Sequence, residues 1–171
     1  MQKVLELLWN FIEKVLHLIL IRFLHIRPLE QKWDDFLQFV KFCIVGVSNT
    51  VLGYVIYLIV VVALRPFAVP WDYIAGNLTE YFLSVLWSFY WNERFVFTLR
   101  QGEYRSMWRA LLKTYATYAF TGIFLNNILG FLWIKKLGLS KYIAPIISLL
   151  VSVPLNFIIS KLWAFRAKKR G

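Results

Sequence analysis

Apolar residues in this chain fall into four long blocks, at 39–64, 71–91, about 111–134 and 142 to about 163, each bounded by charged or proline-containing segments. A span of hydrocarbon needs roughly 20 apolar residues in helical form. The first block, FVKFCIVGVSNTVLGYVIYLIVVVAL, exceeds that length and implies tilt; Arg65 and Pro66 end it. The second carries Asp72, Asn77 and Glu80 and is less clean, while Tyr142 and Trp163 frame the fourth as interfacial anchors. Ahead of these blocks, residues 3–25 show a different pattern. Lys3, Glu6, Asn10, Glu13, Lys14 and His17 recur at helical spacing, with Leu5, Leu8, Phe11, Ile12, Val15, Leu16 and Ile19 mostly off that stripe. This is the pattern of an amphipathic helix lying in the membrane interface, or of one packed on a partner protein. Residues 27–38 read as a polar connection opened by Pro28. The pattern predicts an all-α integral membrane protein of four transmembrane helices preceded by an interfacial amphipathic helix. Residues 1–35 form the N-terminal part, and 36–171 the membrane domain with its basic tail.

Composition sharpens this reading. Of 171 residues, 60% are hydrophobic, above the 45–50% usual for soluble domains, and mean hydropathy is +0.59. The net charge of +11 raises nucleic acid as a partner. The placement of the charges argues against it, because they flank the apolar blocks and suit anionic lipid headgroups. Sixteen of the 20 Lys and Arg lie in 1–41, 91–113 and 161–171, and four lie in the two other loops. The positive-inside rule then puts both termini and the central loop in the cytoplasm, consistent with an even number of spans. Glu6, Glu13 and Lys14 interrupt the first apolar runs and no small-residue cleavage site follows, so no cleavable signal peptide is expected. The single cysteine, Cys43, lies in the first span and has no partner for a disulfide or a metal site.

A weak internal repeat is visible. SFYWNERFVF at 88–97 closes the second span and NFIISKLWAF at 156–165 closes the fourth, with Phe89 and Phe157 second and Phe97 and Phe165 last. Lys41 opens the first span and Lys113 the third, with Gly46 and Gly122 following. The chain thus reads as two helical hairpins in a parallel repeat, each starting and ending inside.

No catalytic motif is present: no Ser-His-Asp ordering, no H-E-x-x-H, no G-x-x-x-x-G-K and no Cys/His cluster, so no enzyme, no metal and no cofactor is expected. The two histidines, His17 and His25, lie in the amphipathic segment. The informative residues are polar groups inside the spans: Ser48, Asn49 and Thr50; Asn77, Thr79 and Glu80; Asn126 and Asn127; Ser148, Ser152 and Asn156. Interhelical hydrogen bonding accounts for most Asn and Ser in spans. Glu80 differs, since a carboxyl at membrane depth costs roughly 2.5–3.5 kcal/mol unless protonated, paired or facing a wet cavity. Arg94, Lys113, Lys161 and Lys41 lie at the cytoplasmic ends of four spans and could converge on a phosphate; positive-inside anchoring with snorkelling is the competing account. Glu93 could pair with a neighbouring cation, which would make it structural.

The segments FVKFCIVGVSNT at 39–50, NERFVF at 92–97 and NFIISKLWAF at 156–165 occur in the order and spacing of the GtrA-like family of small membrane proteins, and the chain resembles that family over about 36–168. The resemblance implies a four-helix protein that moves a polyprenyl-phosphate monosaccharide from the inner to the outer face of a prokaryotic cytoplasmic membrane. The sugar then decorates O-antigen, teichoic acid or arabinan-type polymers. A membrane-associated glycosyltransferase would be its partner. The motif positions carried over are Asn49, Asn92, Arg94, Val96, Phe97, Asn156, Lys161 and Phe165. The amphipathic N-terminus and Glu80 are not part of the family pattern. The alternative is a non-transporting anchor or activator of the transferase. Four helices make a thin wall around a sugar, so a homo-oligomer, a dimer, is expected.

Overall fold

The computed structural model describes residues 2–23 and 25–169, without the side chains of residues 2–5, 27 and 28. The predicted roles of Lys3, Leu5, Arg27, Pro28 and Arg170 as side chains fall outside that set. The chain forms two compact units, residues 1–40 and 41–171.

In the first unit, α1 (Gln2–His17) runs on through a π-helical stretch, Leu18–Phe23. Its polar stripe holds Asn10, Glu13, Lys14 and His17, while Leu7, Leu8, Phe11 and Leu18 are exposed apolar residues. The segment read as a polar connection is largely helical. A single turn, α2 (Arg27–Glu30), is followed closely by α3, which begins at Trp33. The physical reason lies in Asp34 and Asp35: in a first turn they complement the helix macrodipole, so polarity here starts a helix instead of interrupting one. The His17 ring meets Trp33 edge-on at 5.2 Å, and Leu37 is buried.

The second unit holds the remainder of α3 (Trp33–Leu64) and three further long helical stretches. α4 (Asp72–Trp91) ends in a π-helical turn, Asn92–Val96. α5 (Met107–Ala119) continues through a π-helical stretch into α6 (Asn126–Phe131) and reaches Lys136. α7 (Ala144–Ile159) ends in a π-helical turn, Ser160–Ala164. Among the described residues, three stretches are long and apolar enough to cross a membrane: Trp33–Phe67, Met107–Lys136 and Ala144–Ala164. The α4 stretch is of comparable length, but Asp72, Asn77 and Glu80 lower its hydropathy.

Burial is inverted relative to a soluble bundle. Most buried positions of the long helices are small or polar, with Ser88 at 0% and Asn92 and Ser160 at 1% exposure, beside a few large ones such as Phe42 and Val85. The exposed positions are large and apolar, with Val47 at 66%, Leu150 at 71% and Leu162 at 65%. Water would oppose such an arrangement, whereas hydrocarbon favours small and hydroxyl-bearing residues between helices and branched aliphatics outside. The chain is a mostly helical membrane protein. Three of its buried hydroxyls are satisfied within their own helical stretch: Thr114, Thr117 and Thr121 each donate to the carbonyl four residues earlier at 2.8–2.9 Å.

One pair of very short strands was not foreseen. β1 (Glu103–Tyr104) pairs antiparallel with β2 (Lys168–Lys169), joining the central loop to the basic tail. Gly102, at φ 81°, supplies the left-handed turn residue before β1.

Candidate functional site

The two repeated segments adopt the same backbone. Phe97 N–H donates to the Asn92 carbonyl at 2.7 Å, and Phe165 N–H to the Ser160 carbonyl at 2.8 Å, each closing a π-type turn. One sequence offset relates Asn92 to Ser160, Phe89 to Phe157 and Phe97 to Phe165. The rings follow it. Phe97 and Phe165 stack on each other at 4.7 Å, Phe89 stacks on Phe165 at 5.6 Å, and Phe157 on Phe97 at 5.9 Å. The last two pairs are exchanged by the repeat and the first maps onto itself, as expected about a local two-fold axis. The entry lysines, 72 and not 68 residues apart, still make matching contacts. Lys41 Nζ lies over the Phe95 ring at 5.0 Å and Lys113 Nζ over Trp163, the residue equivalent to Phe95, at 5.2 Å.

This aromatic junction is fastened by Arg105, 4% exposed. Its guanidinium donates to the Phe97 carbonyl at 2.8 Å and to the Phe165 carbonyl, pairs with Glu93, and lies over the Phe165 ring. Glu93 therefore has the structural pairing its sequence context allowed. Arg105 was legible in the sequence only as one more loop cation.

Above the junction, α3, α4, the α5–α6 stretch and α7 line an open cavity of about 530 Å³. That lies within the roughly 300–1,000 Å³ of small-molecule sites. Polar residues enter it from every helix: Asn49 and Thr50, Glu80 and Ser84, Thr121 and Asn126, Ser152 and Asn156. Two stripes with a four-residue spacing contribute Glu80 and Ser84, and Ser152 and Asn156, to this lining. In α4 the stripe is Glu80, Ser84, Ser88 and Asn92; at the equivalent positions of α7 it is Ser148, Ser152, Asn156 and Ser160. Within the first stripe Ser84 Oγ donates to Glu80 Oε1 at 3.3 Å, and Asn92 Nδ2 to Ser88 Oγ at 3.0 Å. Within the second, Ser160 Oγ donates to Asn156 Oδ1 at 3.5 Å. The Ser88–Asn92 and Asn156–Ser160 pairs are equivalent under the repeat, with hydroxyl and amide exchanged. The stripe continues from the serines singled out in α7 to Ser84 and Ser88 in α4, which sequence reasoning passed over although the spacing was there to read.

The structure brings together three of the sequence-derived site residues, Asn49, Glu80 and Asn156, around the cavity. Asn92 lies further down the α4 stripe, buried against Tyr118, whose hydroxyl is 2.5 Å from Ser88 Oγ and 3.5 Å from Asn92 Nδ2. The four cations do not line the cavity. Lys113 Nζ donates to the Trp163 carbonyl at 3.1 Å, closing the end of the α7 stretch. Arg94 lies over its own helix's Tyr90 ring at 5.1 Å, and Lys161 over Phe157 at 5.7 Å. Val96, Phe97 and Phe165 are buried in the junction.

The family model for the GtrA/DPMS transmembrane domain matches residues 41–165. The chain belongs to that family. The match opens at Lys41 and closes at Phe165, so it covers both hairpins, the junction and the cavity between them. A multi-pass membrane protein of glycosylation is what the family match and the inverted burial together support. Comparison with curated proteins and with solved structures gave no match.

Proposed function

We propose that this protein carries a polyprenyl-phosphate-linked monosaccharide across the cytoplasmic membrane of a prokaryote for cell-surface glycosylation, without itself acting as an enzyme. The observation that carries the reading is a cavity that receives polar side chains from every helix, held between helices whose outer faces are apolar. A sugar crossing hydrocarbon must exchange its hydration for other hydrogen bonds, because unpaired polar groups cost several kcal/mol each. Asn49, Glu80, Ser84, Asn126, Ser152 and Asn156 offer that exchange, while the prenyl chain remains outside against the exposed aliphatics. In this account α4 spans as well, giving four helices in two parallel hairpins with both termini in the cytoplasm, and the cations at the junction end receive the phosphate. α1 lies in the interface, and a second copy of the chain completes the wall around the sugar.

Flux and partner assembly separate this reading from an anchor for a membrane-associated glycosyltransferase. Glu80→Gln and Asn156→Ala are to be measured both for lipid-sugar movement in proteoliposomes and for co-purification with the transferase. A carrier loses movement and keeps assembly. Unchanged movement in both variants contradicts the cavity as the path.

A further inference from the structure

The chemistry of the cavity lining is one-sided. Glu80 is its sole charged side chain: no Lys, Arg or His lines it, and Glu80 has no ion pair among the described residues. Its protein hydrogen bond comes from Ser84 Oγ at 3.3 Å. The carboxylate is set in place by a close helix approach, since it lies where a Cβ on Gly53 would be, with Cδ and Cγ at 3.1 Å from that position. The Glu80 carboxylate thus lies in the lining with one protein donor and no counter-charge among the described residues.

We infer that the sugar taken by this cavity carries a protonated amine, and that Glu80 is the residue that selects it. This deepens the carrier reading and rests on it. A carboxylate without a counter-charge in a low-dielectric site is costly, and a neutral polyol leaves that charge uncompensated. An ammonium brings the opposite charge together with three donors and no acceptor, which matches the Glu80 carboxylate in sign. An anionic sugar is opposed by the same carboxylate, and acylation of the amine removes the charge that is recognised.

The test is equilibrium binding to the full-length protein in nanodiscs, at a pH that keeps the amine protonated. The probes are three short-chain polyprenyl phosphates, bearing a 2-amino-2-deoxyhexose, its N-acetyl form and the plain hexose. Wild type is expected to prefer the amine by about tenfold, the scale of one charge-assisted hydrogen bond. Glu80→Gln, similar in shape, is expected to bind all three alike, and Glu80→Asp to keep the preference. Equal binding of the three lipids by wild type overturns the inference and leaves the carrier reading standing. A preference that survives in Glu80→Gln, or a loss of all three lipids alike in that variant, overturns it as well. Failure of folded wild type to bind any of the three contradicts both.

Discussion

Phe97 and Phe165 stack at 4.7 Å with their planes 21° apart, each the last residue of a repeated segment and each giving its carbonyl to Arg105. The contact places the ends of α4 and α7 against each other by the same side chain in two copies. Truncating either ring is expected to cost about 3–5 kcal/mol of stability. A double-mutant cycle between them is expected to leave a coupling of about 0.5–1.5 kcal/mol beyond their separate losses. Reversible unfolding in mixed micelles measures both. Additive losses would show that the rings pack on other groups and not on each other.

Arg105 serves two carbonyls, one carboxylate and one ring at once. Arg105→Ala leaves Glu93 buried without its counter-charge and is expected to destabilise by about 3–5 kcal/mol. Arg105→Lys is expected to recover only part of this, since a point-like ammonium cannot fork onto Phe97 and Phe165 together. Thermal unfolding of the three proteins in the same detergent checks the order wild type, Lys, Ala.

The glycines separate into two kinds. At Gly53 an added Cβ runs into the Glu80 carboxylate, and at Gly76 it meets the Tyr57 ring at 2.8 Å. At Gly46, which lines the cavity, it meets nothing within 4 Å. Gly46→Ala is expected to be neutral or to stabilise by up to about 1 kcal/mol, because alanine loses less entropy in a helix. Gly76→Ala is expected to destabilise by about 1–3 kcal/mol, as overpacking does. Melting temperatures of the two variants against wild type give the comparison.

Much of this architecture could be read from the residues. Four apolar blocks became four helical stretches, because length and hydropathy are local properties of the chain. The repeat was visible through Phe89, Phe97, Phe157 and Phe165, and Glu80 and Asn156 drew attention because polar groups in such blocks demand partners. Other features depend on who meets whom. Arg105 sits in a loop whose composition says nothing of its burial. Lys113 looked like a phosphate ligand, and the Trp163 carbonyl that holds it is fifty residues away. The segment 27–38 has the polarity of a connection, yet Asp34 and Asp35 in a first turn start a helix there. The strand pair between Glu103–Tyr104 and Lys168–Lys169 joins residues with no strand pattern of their own.

The claim that the sugar passes through this cavity is tested most directly by plugging it. Gly46 and Gly122 both line it and both face open space at the Cβ position, so leucine at either site fills the path without a clash at that atom. The measurement is the rate at which a polyprenyl-phosphate sugar becomes accessible to a membrane-impermeant reagent in proteoliposomes. Wild type, Gly46→Leu and Gly122→Leu are compared at matched, correctly inserted protein. At least a tenfold fall in both variants, with folding intact, is the predicted result. A rate in both equal to that of wild type would contradict the account.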